Sequence, residues 1–182
     1  MLFRSLGAYI IAYISGVNDL TLSFTNNILL TLPIVIIGTG IIALIVGSLA
    51  LRTDGIYFLM ITLAFAQMLF SVAMRWSAVT GGSDGLIGIP RPEIDLGVWK
   101  YSFESRTAFY YFVVTTFVAI YFGLHNIIRS PFGLALKGIK SNQMRMQALG
   151  YKTLHYKIGV FVLAGVIAGI AGMLLAQFYW HA

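Results

Sequence analysis

Four stretches of the chain run without a charged side chain for about the twenty residues that a bilayer crossing needs. They are Ile28 to Leu51, Ile56 to Met74, Thr107 to Ile128 and Ile158 to Trp180. At about 1.5 Å per helical residue, Ile28 to Leu51 is long enough to cross with some tilt. Pro33 lies near the start of that run, within reach of a first turn where a missing N–H costs little. The second run closes on Arg75 and Trp76, and the last ends in Phe178, Tyr179 and Trp180, an aromatic group suited to a membrane interface. Trp99, Tyr101 and Tyr156 fall at similar positions. The opening Leu6 to Val17 is too short to cross alone and lacks a small-x-small cleavage site after it, so it reads as the exit half of a helix. The pattern predicts an all-α protein: a polytopic transmembrane helical bundle of about five membrane segments.

The polar stretches between the runs differ from one another. Residues 129–157, "RSPFGLALKGIKSNQMRMQALGYKTLHYK", form a basic, amphipathic segment with no carboxylate. Ser130 is a good N-cap with Pro131 at N1, and Phe132, Ala135, Leu136 and Ile139 recur at the spacing of one helix face, with Lys137 and Lys140 off it. Ser141 and Asn142 break this helix and can cap a second over 143–149, which Gly150 would end. Residues 77–105 contain "TGGSDGLIGIPRP", where Gly81, Gly82 and Gly85 permit positive φ and Pro90 and Pro92 stiffen the exit, predicting an ordered loop. Thr80, Ser83 and Asp84 there can meet a substrate or receptor, or simply close a turn between helices.

Composition sharpens the class. Of 182 residues, 10% are charged, against about 25% in soluble domains, too few to cover a water-exposed surface. With no cysteine, disulfides, thiolate metal sites and cysteine nucleophiles are excluded. His125, His155 and His181 lie far apart with no second ligand beside them, so no metal site is expected. No phosphate-cradling glycine loop, hydrolytic triad or intramembrane carboxylate pair is present, so no catalytic residues and no cofactor are assigned.

Charge sets the orientation. Alternating spans put Arg4, Arg52, Asp54 and the six cations of 129–157 on one side, while Asp19 and the balanced segment 75–106 fall on the other. The positive-inside rule places 129–157 in the cytoplasm and 77–105 outside.

Within the spans, Gln67 is the lone strongly polar side chain at bilayer depth, suited to an interhelical hydrogen bond or to a translocation path. Arg52 and Asp54 read as a snorkelling cation beside an acidic cap. Ala164, Gly165, Ala168, Gly169 and Gly172 give a small-xxx-small pattern for close helix packing. The basic segment, taken alone, fits a membrane-lipid anchor.

A resemblance adds to this. "RSPFGLALKGIKSNQMRMQALGYKTLHYKIGVFVLAGVIAGIAG" resembles the cytoplasmic coupling loop and following helix of the Liv-type, M-like permeases of branched-chain amino acid ABC transporters. "LALRTDGIYFLMITLAFAQM" and "TGGSDGLIGIPRP" are similar to two further landmarks of that family, in the same order, so the likeness covers roughly residues 47–176. It implies a multi-pass subunit of a bacterial inner membrane. The expected partners are ABC ATPase subunits, a second homologous permease subunit, a periplasmic substrate-binding protein and membrane lipid, with no nucleic acid. It implies an ATPase-coupling loop containing Gly138, Lys140, Arg145, Gln147, Ala148, Leu149 and Gly150. There Gln147 to Gly150 stand where the family has Glu-Ala-x-Gly, and Ser141, Asn142 and Gln143 replace the usual acids. A substrate path or receptor contact would involve Gln67, Thr80, Gly81, Gly82, Asp84 and Gly85, and helix packing Gly165, Ala168, Gly169 and Gly172. Family members carry further spans at both ends, so the chain reads as a piece of a longer permease. Urea or short-amide transport, or a truncated non-transporting scaffold, fits the same residues.

Overall fold

A computed structural model describes residues 2–14, 28–53, 55–75, 93–95, 100–102 and 106–179. Seven helices carry nearly all of this: α1 (Leu2–Ile14), α2 (Ile28–Ala50), α3 (Ile56–Arg75), α4 (Arg106–Arg129), α5 (Pro131–Ser141), α6 (Gln143–Ala148) and α7 (Thr153–Tyr179). Four of them, α2, α3, α4 and α7, are long and apolar enough to cross a membrane, and α1 is a shorter apolar helix. The described residues form a helical, multi-pass bundle of the all-α class, as the sequence pattern predicts.

Three boundaries differ instructively. α7 starts at Thr153, ahead of the apolar run at Ile158, because its polar first turns continue the helix beyond the hydrocarbon. α1 occupies Leu2–Ile14 rather than starting at Leu6. Pro33 sits inside α2, in the second turn from Ile28 rather than the first, so the Leu29 carbonyl has no N–H four residues on. Between α3 and α4 lies a small antiparallel hairpin, β1 (Glu93–Asp95) with β2 (Lys100–Ser102), with Ile94 opposite Tyr101. Alternation over three residues is too brief to register as a strand in the sequence.

The centre is a three-helix unit. α7 and α2 run antiparallel in a steady register: Phe161 lies against Gly47, Gly165 against Ala43, and Gly169 against Thr39. α1 runs parallel to α7, with Phe3 beside Phe161 and Gly7 against Gly169. The approach is backbone to backbone: a Cβ on Gly7 would collide with the Gly169 peptide, and one on Gly172 with the Arg4 carbonyl. On Gly165 it would stand 2.6 Å from the Ala43 Cβ, and on Gly169 2.5 Å from Thr39 Cγ2. Glycine therefore sets how closely these helices meet, which matters in lipid because dispersion between apposed backbones replaces the hydrophobic effect as the cohesive force. Ala168 is half-buried beside this seam.

Ile11, Val35 and Met173 fill the unit's interior, with Phe112 of α4 packed on them. Thr39 is fully buried, and its hydroxyl donates to the Val35 carbonyl at 2.6 Å, so no donor is stranded. Phe161 links three helices, its ring edge-on to Phe3 at 5.6 Å and to Phe58 of α3 at 6.4 Å. α3 meets this unit through Phe58 and, among the described residues, has none that is buried. Toward its end α4 leaves an apolar groove of about 420 Å³ against α7, lined in part by Ile120, Leu124, Val162 and Val166.

Replacing Gly169 with Val should lower unfolding stability in detergent by about 1–3 kcal/mol, the usual cost of overpacking. Gly123→Ala meets open space and should be neutral or stabilising by up to about 1 kcal/mol. Thermal unfolding of the two purified variants tests the contrast.

Candidate functional site

α5, α6 and the first turns of α7 form a compact elbow on the basic side of the bundle. Ser130 starts it: its hydroxyl donates to the Ile127 carbonyl at 2.6 Å and accepts from the Gly133 N–H at 3.5 Å. Pro131 follows at N1, and Gly133 makes the bend possible, since a side chain there would strike the Ile127 and Ile128 carbonyls. Gly133 escaped the sequence reading, where it looked like one more apolar position.

One residue then serves two helices. Asn142, at φ −157° and ψ 104°, donates its N–H to the Gly138 carbonyl, closing α5, while its Oδ1 accepts from the Arg145 N–H at 3.0 Å, opening α6. Gly138 leaves room for the fold-back, because Met146 Sδ would lie 2.8 Å from a Cβ added there. α6 ends in a Schellman arrangement: the Gly150 N–H reaches the Gln147 carbonyl, the Tyr151 N–H reaches Met146, and Gly150 takes φ +85°. Each terminus is thus closed locally, so the elbow keeps its shape without a partner.

The elbow is tied to α7 at two points. The Gln147 amide donates to the Thr153 hydroxyl at 3.1 Å, and Thr153 is buried. Phe132 stacks on Tyr156, with centroids 5.4 Å apart, and rests over Gly159. Thr153 was not singled out in the sequence, although a threonine three residues past the Gly150 stop is where a new helix starts. Beside Phe132 an open cavity of about 570 Å³ is lined by Gly150, Tyr151, Lys152, His155 and Tyr156.

What remains faces outward. Ala135 and Ile139 are buried, but Leu134, Lys137, Lys140, Arg145, Gln147, Ala148 and Leu149 are exposed, and Met144 is 77% exposed. Three large apolar side chains, Leu134, Met144 and Leu149, among cations, with no carboxylate anywhere in 129–157, make a surface that water alone does not explain.

The other candidates are scattered. Gln67 is exposed on α3, away from the elbow. Thr80, Gly81, Gly82, Asp84 and Gly85 lie outside the described residues. Gly165, Gly169 and Gly172 are buried in the three-helix unit. Among the described residues no three His, Cys, Asp or Glu side chains group as metal ligands would.

The model of the family described as "Branched-chain amino acid transport system / permease component" matches residues 4–182. The chain belongs to that family. It is 25% identical over 193 residues to the high-affinity branched-chain amino acid transport system permease protein LivM of Escherichia coli K12, covering 96% of this chain and 44% of that protein. It is 27% identical over 180 residues to the probable branched-chain amino acid transport permease protein LivM of Methanocaldococcus jannaschii, covering 91% and 50%. The chain thus spans about half the length of these relatives. No solved structure matches it. The family is one of membrane permease components rather than enzymes, in keeping with a surface built of helix caps, cations and apolar side chains.

Removing the shared cap tests the elbow's construction. Asn142→Ala should destabilise α6 by about 0.5–2 kcal/mol, seen as faster hydrogen exchange over 143–150 with the exchange of α2 and α7 unchanged.

Proposed function

We propose that the chain is a translocation subunit of an ATP-driven importer for branched-chain amino acids, and that the elbow of α5 and α6 is where an ATPase subunit docks from the cytoplasm. The observation that carries this reading is the join between Gln147 and Thr153, backed by Phe132 on Tyr156 and Gly159. A push on the exposed elbow bears directly on α7, and α7 is the helix against which α1 and α2 are locked. Nucleotide-driven motion of a separate ATPase therefore has a short mechanical route into the membrane core.

The exposed side chains of the elbow favour a partner of matching chemistry. Met144 and Leu149 need an apolar cleft, and Lys137, Lys140 and Arg145 around them need an acidic rim. The family's glutamate is Gln147 here, and its amide is turned toward Thr153, so attraction to a basic ATPase surface is replaced by attraction to an acidic one. On the far side, Thr80, Gly81, Gly82, Asp84 and Gly85 would meet the substrate or a periplasmic binding protein, and a second permease chain would complete the path.

Arg145→Glu should weaken ATPase binding tenfold or more in low salt, following the loss and reversal of charge-assisted contacts (about 1.4 kcal/mol per tenfold). Gln147→Glu can still accept from Thr153 and should leave the elbow folded. The direct test is co-purification of the neighbouring ATPase with the tagged chain and with a version lacking residues 131–148. Retention by the intact chain alone supports the docking site, and equal retention or equal loss overturns it.

A further inference from the structure

One stripe along α7 lines two adjoining openings that neither the helix packing nor the outward cations of the elbow account for. Lys152 at the threshold of the helix, then Tyr156, Gly159, Leu163 and Ile167, follow at steps of three or four residues and so share a face. The first opening is the cavity of about 570 Å³ at the elbow, bounded by Lys152, His155, Tyr151, Tyr156 and Phe132. The second is the groove of about 420 Å³ against α4, whose wall on α7 runs from Gly159 to Ile167. Phe132 stacks on Tyr156 and reaches Gly159, so it stands where one opening gives way to the other.

Depth gives the two openings different chemistry. Ile158 begins the uncharged run that ends at Trp180, which puts the groove in hydrocarbon and the cavity just outside it. Thr153 to Lys157 spans about 7 Å of helix, close to the headgroup layer on one side of a bilayer. From Gly159 to Ile167 the groove extends about 12 Å, most of the roughly 15 Å of hydrocarbon in one leaflet. The Lys152 ammonium, the His155 imidazole and the hydroxyls of Tyr151 and Tyr156 line the cavity and make no hydrogen bond or ion pair with a described residue. With no carboxylate in 129–157, the cavity suits an anion and offers no counter-charge to an ammonium group. We propose that cavity and groove together bind one anionic phospholipid, its headgroup phosphate against Lys152, His155 and Tyr151 and an acyl chain along α7 in the groove. A phospholipid changes from anion to hydrocarbon at this depth by its own constitution, and the bilayer supplies it beside α7. The site shares no residue with the cations assigned to the ATPase, so it stands apart from the importer reading.

The test is native mass spectrometry of the purified, delipidated chain in neutral detergent, titrated with dioleoyl phosphatidylglycerol or dioleoyl phosphatidylcholine. Phosphatidylglycerol should bind at a single site at least about fivefold more tightly, and Lys152→Gln should remove most of that preference, as expected for one cation at a membrane surface. Arg52→Gln, which removes a cation at the same end of the bundle but outside the cavity, should leave the preference unchanged. Val162→Trp, which fills the groove, should weaken both lipids alike and keep the preference. No bound lipid, equal affinity for the two lipids, an equal loss from Arg52→Gln, or no effect of Val162→Trp overturns the proposal. Displacement of phosphatidylglycerol by inorganic phosphate at equal concentration also overturns it, since the cavity would then take a free anion without the groove.

Discussion

Everything in this bundle depends on how closely α7 can approach α1 and α2. In water, burying side chains would hold three such helices together. In lipid, the tails are as apolar as the side chains, and the gain comes from apposing atoms at short range. The glycine face of α7 supplies that range. Gly165, Gly169 and Gly172 let the Arg4 and Gly7 backbone on one side, and Ala43 and Thr39 on the other, come within a distance that any Cβ would forbid. The resulting unit is stiff because it is short of soft side chains at its contacts, and it sets the position of Phe161, of α3 and of the base of α7.

That stiffness gives the elbow its meaning. A flexible basic loop would bind lipid or protein equally well and transmit nothing. Here each helix end is closed by its own chain: Ser130 at the start, Asn142 in the middle, and the Gly150 turn at the end. Two contacts then fasten the elbow to α7. The absence of acids follows a consistent logic too. Carboxylates in 129–157 would pair with its own lysines and arginines and turn the outward cations inward. Without them the positive charge is left for a partner or a membrane surface.

Much of this was legible in the sequence, and the reasons divide cleanly. The spans show in uncharged length, which reports a solvent and not a contact, so they are robust to ignorance of the fold. The caps show because Ser130-Pro131, Asn142 and Gly150 act on their own backbone within a few residues. The glycine stripe shows that something approaches α7, but not that Gly7 and Arg4 on one side and Ala43 and Thr39 on the other are what approach it. The Gln147–Thr153 bond was hidden by treating Gln147 as a degraded glutamate, which directed attention outward. The early start of α7 was hidden because hydropathy ends at the bilayer and the helix does not. The hairpin of residues 93–102 was too short for any periodicity to betray it.

The uneven burial of the spans carries the final step. α2 and α7 bury a substantial face within the chain, whereas α3 buries nothing. A helix held along one face has gained too little contact to fix its rotation by packing alone, and an apolar helix in lipid has no hydrophobic reason to prefer one rotation. Yet α3 is not uniformly apolar. Phe58 against Phe161 fixes one side, and the position of Gln67 nearly opposite means that the same rotation turns an amide outward. Turning α3 to hide Gln67 inside would expose Phe58, Phe65 and Leu69 to lipid at little cost, so hydrophobicity does not choose the observed rotation. Among the described residues, cohesion is concentrated in α1, α2 and α7, while α3 lies at their edge with Gln67 exposed.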